Sequence, residues 1–161
     1  MIKSGRITAA LLASAAFTLP TTAFGQDTEV SSGAVEDIVV TAQRREERLQ
    51  DVPVSVTALS GDTLKSQRII NASDLASVTP NLQSVSTVGS STPIFALRGI
   101  SMSDYSLNQA SPVATYFDEV YKGNFALLGV SLFDLERVEV LRGPQGTLYG
   151  KNTTGGAVNL I

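Results

Sequence analysis

The sequence predicts an α+β domain of short strands and short helices, preceded by a disordered N-terminal extension. Three observations carry this. From residue 52 onward, brief apolar stretches are punctuated by Gly, Pro, Asn and Asp, with helix-start signals between them. Residues 26–36 are polar and small, and residues 43–51 mix both signs of charge, so neither supports a packed core. Residues 1–25 carry the pattern of a cleaved export signal. The expected organisation is therefore signal 1–25, disordered extension 26–51 and folded domain 52–161.

The signal begins with Lys3 and Arg6, continues as the apolar run 7–19, breaks at Pro20 and ends in Ala23-Phe24-Gly25, with small residues where a signal peptidase needs them. The apolar run is shorter than the roughly 20 residues a membrane helix requires. Within the extension, Ile38-Val39-Val40-Thr41 is a β-prone island in polar surroundings. Arg44, Arg45, Glu46, Glu47 and Arg48 after it read as a solvated linker.

The domain opens with a strand on which Val52, Val54, Val56 and Ala58 share a face. A short helix over 61–68, capped by Ser60, follows. Ser73-Asp74 starts a second helix with Leu75 and Val78 on one face, and Pro80 ends it. Residues 83–88 predict a strand, 89–93 a loop, and 94–100 a buried strand running into Arg98-Gly99. After the polar loop 101–112, residues 113–120 alternate as a strand, 125–130 are apolar without a period, and 132–136 predict a helical turn. Residues 137–141 are a strand, Arg142-Gly143-Pro144-Gln145-Gly146 turns sharply, and 155–161 open a last strand. With no cap or polar tail after that strand, a truncated chain is expected.

Composition excludes several chemistries. The 161 residues are 43% hydrophobic, enough for a core, and contain neither Cys nor His. Disulfides, thiolate or imidazole metal sites, Cys nucleophiles and His bases are thereby removed. No acidic loop of the calcium type is present, so no metal and no cofactor is expected. A net charge of −3 without a basic run argues against nucleic acid.

Several motifs admit two readings. The run 146–152 resembles a phosphate loop, but Gln145 holds the first glycine position and Asn152 replaces the magnesium-binding hydroxyl. Its glycines read instead as turn formers. Asn71-Ala72-Ser73 and Asn152-Thr153-Thr154 match the glycosylation tripeptide, a pattern common by chance. The acids Asp118/Glu119 and Glu136/Glu139 form pairs of the kind that hydrolyse glycosides, but Arg137 and Arg142 beside Glu136 and Glu139 favour surface ion pairs. Arg98-Gly99 and Arg142-Gly143 each end an apolar strand. They are either exposed strand ends or arginines aimed into a polar interface that takes bidentate carboxylates. Ile38 to Thr41 is either an edge strand or a free peptide for capture by strand addition; the charged linker favours capture.

In this order and spacing, the segments resemble the N-terminus of TonB-dependent outer-membrane receptors. Glu36-Asp37-Ile38-Val39-Val40-Thr41-Ala42 is similar to a TonB box, and Val52-Pro53-Val54-Ser55-Val56 with Asp74-Leu75 and Pro80-Asn81 to the start of the plug. Phe95-Ala96-Leu97-Arg98-Gly99-Ile100 is similar to the first plug arginine motif. Glu136 through Pro144, Tyr149-Gly150 and Gly155-Gly156-Ala157-Val158-Asn159 are similar to the plug's C-terminal signature. The resemblance implies a compact plug domain with a small mixed β-sheet, the gating part of a receptor for energy-coupled uptake of a scarce solute such as a ferric siderophore, without enzymatic chemistry. It implies that Asp37, Ile38, Val39, Val40, Thr41 and Ala42 bind the periplasmic C-terminal domain of TonB. It implies that Arg98, Gly99, Arg142 and Gly143 dock against glutamates of an outer-membrane β-barrel, encoded downstream or supplied in trans. Loops 101–112 and 121–128 are then expected to face the solute. A free periplasmic plug-like binding or signalling module and an exported acid-pair hydrolase are the rival readings.

Overall fold

The computed structural model describes residues 38–86, 92–103, 106, 108–129 and 131–161. The export signal, residues 26–36 and Asp37 lie outside the described residues.

The centre is a five-stranded sheet built from β3 (Ser55–Ser60), β6 (Val113–Phe117), β7 (Val120–Tyr121), β8 (Arg137–Arg142) and β9 (Gly156–Leu160), in the order β3-β8-β9-β6-β7. β8 runs antiparallel to β3 and β9, whereas β9 runs parallel to β6, so the sheet is mixed as expected. Two hairpins stand apart from it: β1 (Val39–Val40) with β2 (Glu47–Arg48), and β4 (Leu82–Ser86) with β5 (Pro93–Leu97).

Strand periodicity divides the core in two. Along β8, Val138 and Val140 face one side while Glu139 and Leu141 face the other. The first side packs on Leu64 of α1 (Gly61–Ser66), on Leu75 of α2 (Leu75–Val78) and on Ile94, Phe95 and Leu97 of β5. Fully burying one such side chain contributes about 1.5–3 kcal/mol. The second side carries Ala114, Ala157 and Leu141, and is covered by Val40 and Ala42 with Tyr149 of α3 (Gly146–Tyr149).

Local signals are obeyed where chain chemistry is decisive. Ser60 caps α1 by accepting from the Thr63 N–H at 3.2 Å. Asp74 accepts from the Ile70 and Asn71 N–H groups ahead of a 3-10 turn over Ala72–Asp74, which leads into α2. The Gly61 position must be glycine, because a Cβ there would lie 2.5 Å from the Leu135 carbonyl oxygen.

Four expectations are corrected. The first strand of the domain starts at Ser55 rather than Val52, with Pro53 two residues before it unable to donate to a ladder. Residues 113–120 are not one strand: Asp118 and Glu119, at φ of 44° and 66°, form a turn between β6 and β7. Residues 132–136 form no helix; the Leu132 N–H donates to the Ile70 carbonyl instead. Residues 43–51 are not a solvated linker, since β2 pairs with β1 and Leu49 and Val52 pack beneath that hairpin. The ordered part of the chain therefore begins before the expected boundary at 52.

Candidate functional site

The register across the second face of the sheet sets Glu139 opposite Asn159, and Asn159 opposite Tyr116. Three neighbouring strands thus place a polar strip in an otherwise apolar face. Glu139 is fully buried, so its carboxylate requires partners. Arg137, one turn of the strand pleat away, donates from Nε to Oε1 at 2.9 Å. The Thr41 backbone N–H donates to the same oxygen at 2.7 Å, and Asn159 Nδ2 lies 3.5 Å from Oε2. The reading of Glu139 as a surface acid is overturned: alternation with Val138 and Val140 turns it inward beneath the hairpin. Glu136, exposed, does pair with Arg137. Asp118 and Glu119 sit exposed at a turn. No paired-acid cleft forms around these residues.

Tyr149 supplies the second anchor. Its hydroxyl donates to the Ala42 carbonyl at 3.1 Å and accepts from Asn159 Nδ2 at 2.8 Å. Tyr116 donates its own hydroxyl to the Tyr149 carbonyl at 2.6 Å. Arg44 closes the end of the segment, donating from Nε to the Leu148 carbonyl at 3.0 Å with its guanidinium 5.1 Å from the Tyr149 ring centroid. Burial pushes both phenols above their ordinary 10.0. At Tyr149 the Asn159 hydrogen bond acts against burial, while the nearby Glu139 carboxylate acts with it.

Of the predicted TonB-box residues, Ile38 is half-buried and Val39 is 44% exposed, but Val40 and Ala42 are buried at 0% and 1% exposure. In this structure the segment is docked rather than free.

The two arginine motifs converge. Arg98 and Gly99, at φ of 53° and 80°, form a two-residue turn closed by reciprocal Leu97–Ile100 backbone bonds. That turn brings Arg98 Nη1 to within 3.3 Å of where a Cβ on Gly143 would stand. Gly143, buried at φ 102°, thus makes room for the guanidinium. Arg142 is half-buried, and its Nε is buried without a hydrogen-bond partner. Among the described residues neither arginine forms an ion pair. No cluster of possible metal ligands and no helix long and apolar enough to cross a membrane occurs among them either.

Sequence reasoning singled out Arg98, Gly99, Arg142 and Gly143 and residues 37–42, of which Asp37 lies outside the described residues; the structure sets Arg98 against Gly143. It missed Arg137, Glu139, Tyr149 and Asn159 as one network. The available signal was a lone acid at an inward position of an apolar strand, with an arginine two residues before it.

Comparison with known proteins agrees with this architecture. Residues 48–157 match the family model of the TonB-dependent receptor plug domain. The pesticin receptor of Yersinia pestis is 34% identical over 125 residues, covering 77% of this chain and 18% of that protein. The iron-regulated outer membrane virulence protein of Vibrio cholerae is 30% identical over 145 residues, 86% of this chain and 21% of that one. The crystal structure of the ferric yersiniabactin uptake receptor from Yersinia pestis superposes with a TM-score of 0.60 at 34% identity, over 66% of this chain and 16% of that one. The chain spans about a fifth of the length of the relatives it matches, and the fifth it spans is a plug: the chain belongs to the TonB-dependent receptor plug domain family.

Proposed function

We propose that this chain is the gating plug of an outer-membrane receptor that takes up a scarce solute, a ferric siderophore by class, with energy delivered through TonB. It is exported by residues 1–25 and performs no chemistry on the solute. The observation that carries this reading is that Arg98 lies against Gly143, beside Arg142, and that neither arginine pairs with an acid among the described residues. A guanidinium seated against the glycine that follows Arg142, and a second arginine with a buried, unpartnered Nε, suit carboxylates from outside the plug. A surrounding barrel wall is the surface a plug meets. The names of the relatives, receptors and iron-regulated outer-membrane proteins, support the solute class and the location.

TonB capture follows from the 38–42 segment, whose short apolar run suits backbone pairing with a partner sheet. Calorimetry of the exported chain with the purified TonB C-terminal domain tests it. Wild type binds, and Val40→Pro does not, because proline removes a donor and locks the backbone. Equal affinity of the two would refute capture by strand addition.

A further inference from the structure

We propose that the groove between residues 61–70 and 132–135 is a self-pairing surface, through which two copies of this chain associate about a two-fold axis. The pairing concerns the chain by itself and does not rest on the gating reading.

The groove is built into the fold. One wall is α1 with the turn that follows it, and the other is the stretch leading into β8. The Gly61 N–H donates to the Glu136 carbonyl at 2.7 Å, and the Leu132 N–H donates to the Ile70 carbonyl. These two bonds fix the walls against each other. Between them lies a volume of about 380 Å³ lined by Leu64, Ile69, Ile70, Leu132, Phe133 and Leu135. Leu64 and Ile69 are buried and form the floor, whereas Ile70 and Phe133 are 56% and 78% exposed at the lips. Asp134, at φ 58°, bends the chain immediately after Phe133. An exposed aromatic ring beside an apolar groove supplies both halves of an interface on one patch, as an isologous contact requires. Burying this apolar area drives the association.

Charge selects the partner and the orientation. The 61–70 wall carries Lys65 and Arg68, and the 132–135 wall carries Asp134. Arg68 and Asp134 have no ion-pair partner among the described residues. Lys65 reaches Asp62 only at 3.8 Å, with both side chains largely exposed, so solvent screens that pair. With the two-fold axis along the groove, each copy lays its 132–135 wall over the 61–70 wall of the other. Phe133 then enters the facing groove twice, and Asp134 meets Lys65 and Arg68 twice. The alternative axis, across the groove, sets basic wall on basic wall and acid on acid, and the charges reject it. A partner of a single charge sign satisfies only one of the two walls.

Sedimentation equilibrium of the exported chain over about 1–500 µM tests the pairing. The mass is expected to rise from one copy to two and no further. Phe133→Ser is expected to weaken association at least about tenfold, as loss of a central aromatic anchor does. Reversing one wall with Lys65→Glu and Arg68→Glu together is expected to weaken it severalfold. Adding Asp134→Lys to that chain is expected to recover most of the loss, because opposite signs again face each other. Circular dichroism melts establish that each variant is folded; should the charge variants unfold, Phe133→Ser carries the test. A chain that stays monomeric throughout overturns the pairing and leaves the groove to another occupant, such as the wall of a barrel. Masses that climb past two copies, or an unchanged association constant in folded Phe133→Ser, overturn it as well. Failure of Asp134→Lys to recover a folded, reversed wall overturns the orientation.

Discussion

Arg137 and Arg142 end the same strand, β8, and the same substitution should have opposite consequences at the two. Arg137 is 12% exposed and pairs at 2.9 Å with Glu139, which is fully buried. Arg137→Ala leaves that carboxylate with only the Thr41 and Asn159 hydrogen bonds, and breaking a buried pair from one side costs about 3–5 kcal/mol. Arg142 has no acceptor to lose among the described residues. Truncating it forfeits the packing of its stem, about 1 kcal/mol, and relieves a buried unsatisfied donor, worth about 1–3 kcal/mol. The net change should run from about zero to about 2 kcal/mol of stabilisation. With a urea slope of about 2 kcal/mol per molar, Arg137→Ala should lower the unfolding midpoint by roughly 1.5–2.5 M, and Arg142→Ala should leave it unchanged or raise it by up to about 1 M. In a receptor that includes the barrel, Arg142→Ala should instead loosen the plug, read as faster hydrogen exchange or a larger channel leak. If Arg142→Ala costs the isolated chain as much as Arg137→Ala, its acceptor lies within this chain and the barrel socket is wrong for that residue.

Two further outcomes follow from particular atoms. At Gly156, φ 148°, a Cβ would lie 2.2 Å from the Leu141 carbonyl oxygen and 2.5 Å from Leu97 Cδ2, so Gly156→Ala should destabilise by about 3 kcal/mol or more; Gly146→Ala, with nothing within 4 Å, should be silent, both read from urea midpoints. Burial raises the folded-state pKa of Tyr149 above 10.0, so the stability this group contributes is complete below about pH 10 and is lost as pH rises through its folded value. An ultraviolet titration of phenolate should therefore contain a late component that Tyr149→Phe reduces; a wild-type curve with every tyrosine at its ordinary value would refute the burial argument.

Much of the architecture was legible in the residues because it depends on local chemistry. The Ser60 cap, the Asp74 helix start, the buried strand expected over 94–100 and formed by Pro93–Leu97, and the glycines beside Arg98 and Arg142 are properties of neighbours in the chain. The fault lines were also local. The polar residues of Asp118-Glu119 fit a period of two, so the sequence predicts a continuous alternating strand there. The turn there rests on two successive left-handed residues, which no neighbouring glycine announced.

The sequence alone determined which residues can pair as strands, which positions require glycine, and that neither thiol nor imidazole chemistry is present. It also carried the order and spacing of motifs that mark a plug. Only the tertiary structure decided what lies opposite what. Glu139 and Asn159 are 20 residues apart, and Glu139 and Thr41 are 98 apart. Their meeting depends on sheet register and on which face the first hairpin covers. A mixed-charge run such as 43–51 has no core of its own and reads as linker. It becomes ordered because the sheet offers a face of small side chains with one buried carboxylate that needs a donor, and the Thr41 backbone supplies it. The arginines separate the two levels in the same way: their positions are plain in the chain, but that Arg98 packs against the glycine after Arg142, with no acid paired to either among the described residues, is a fact of three dimensions.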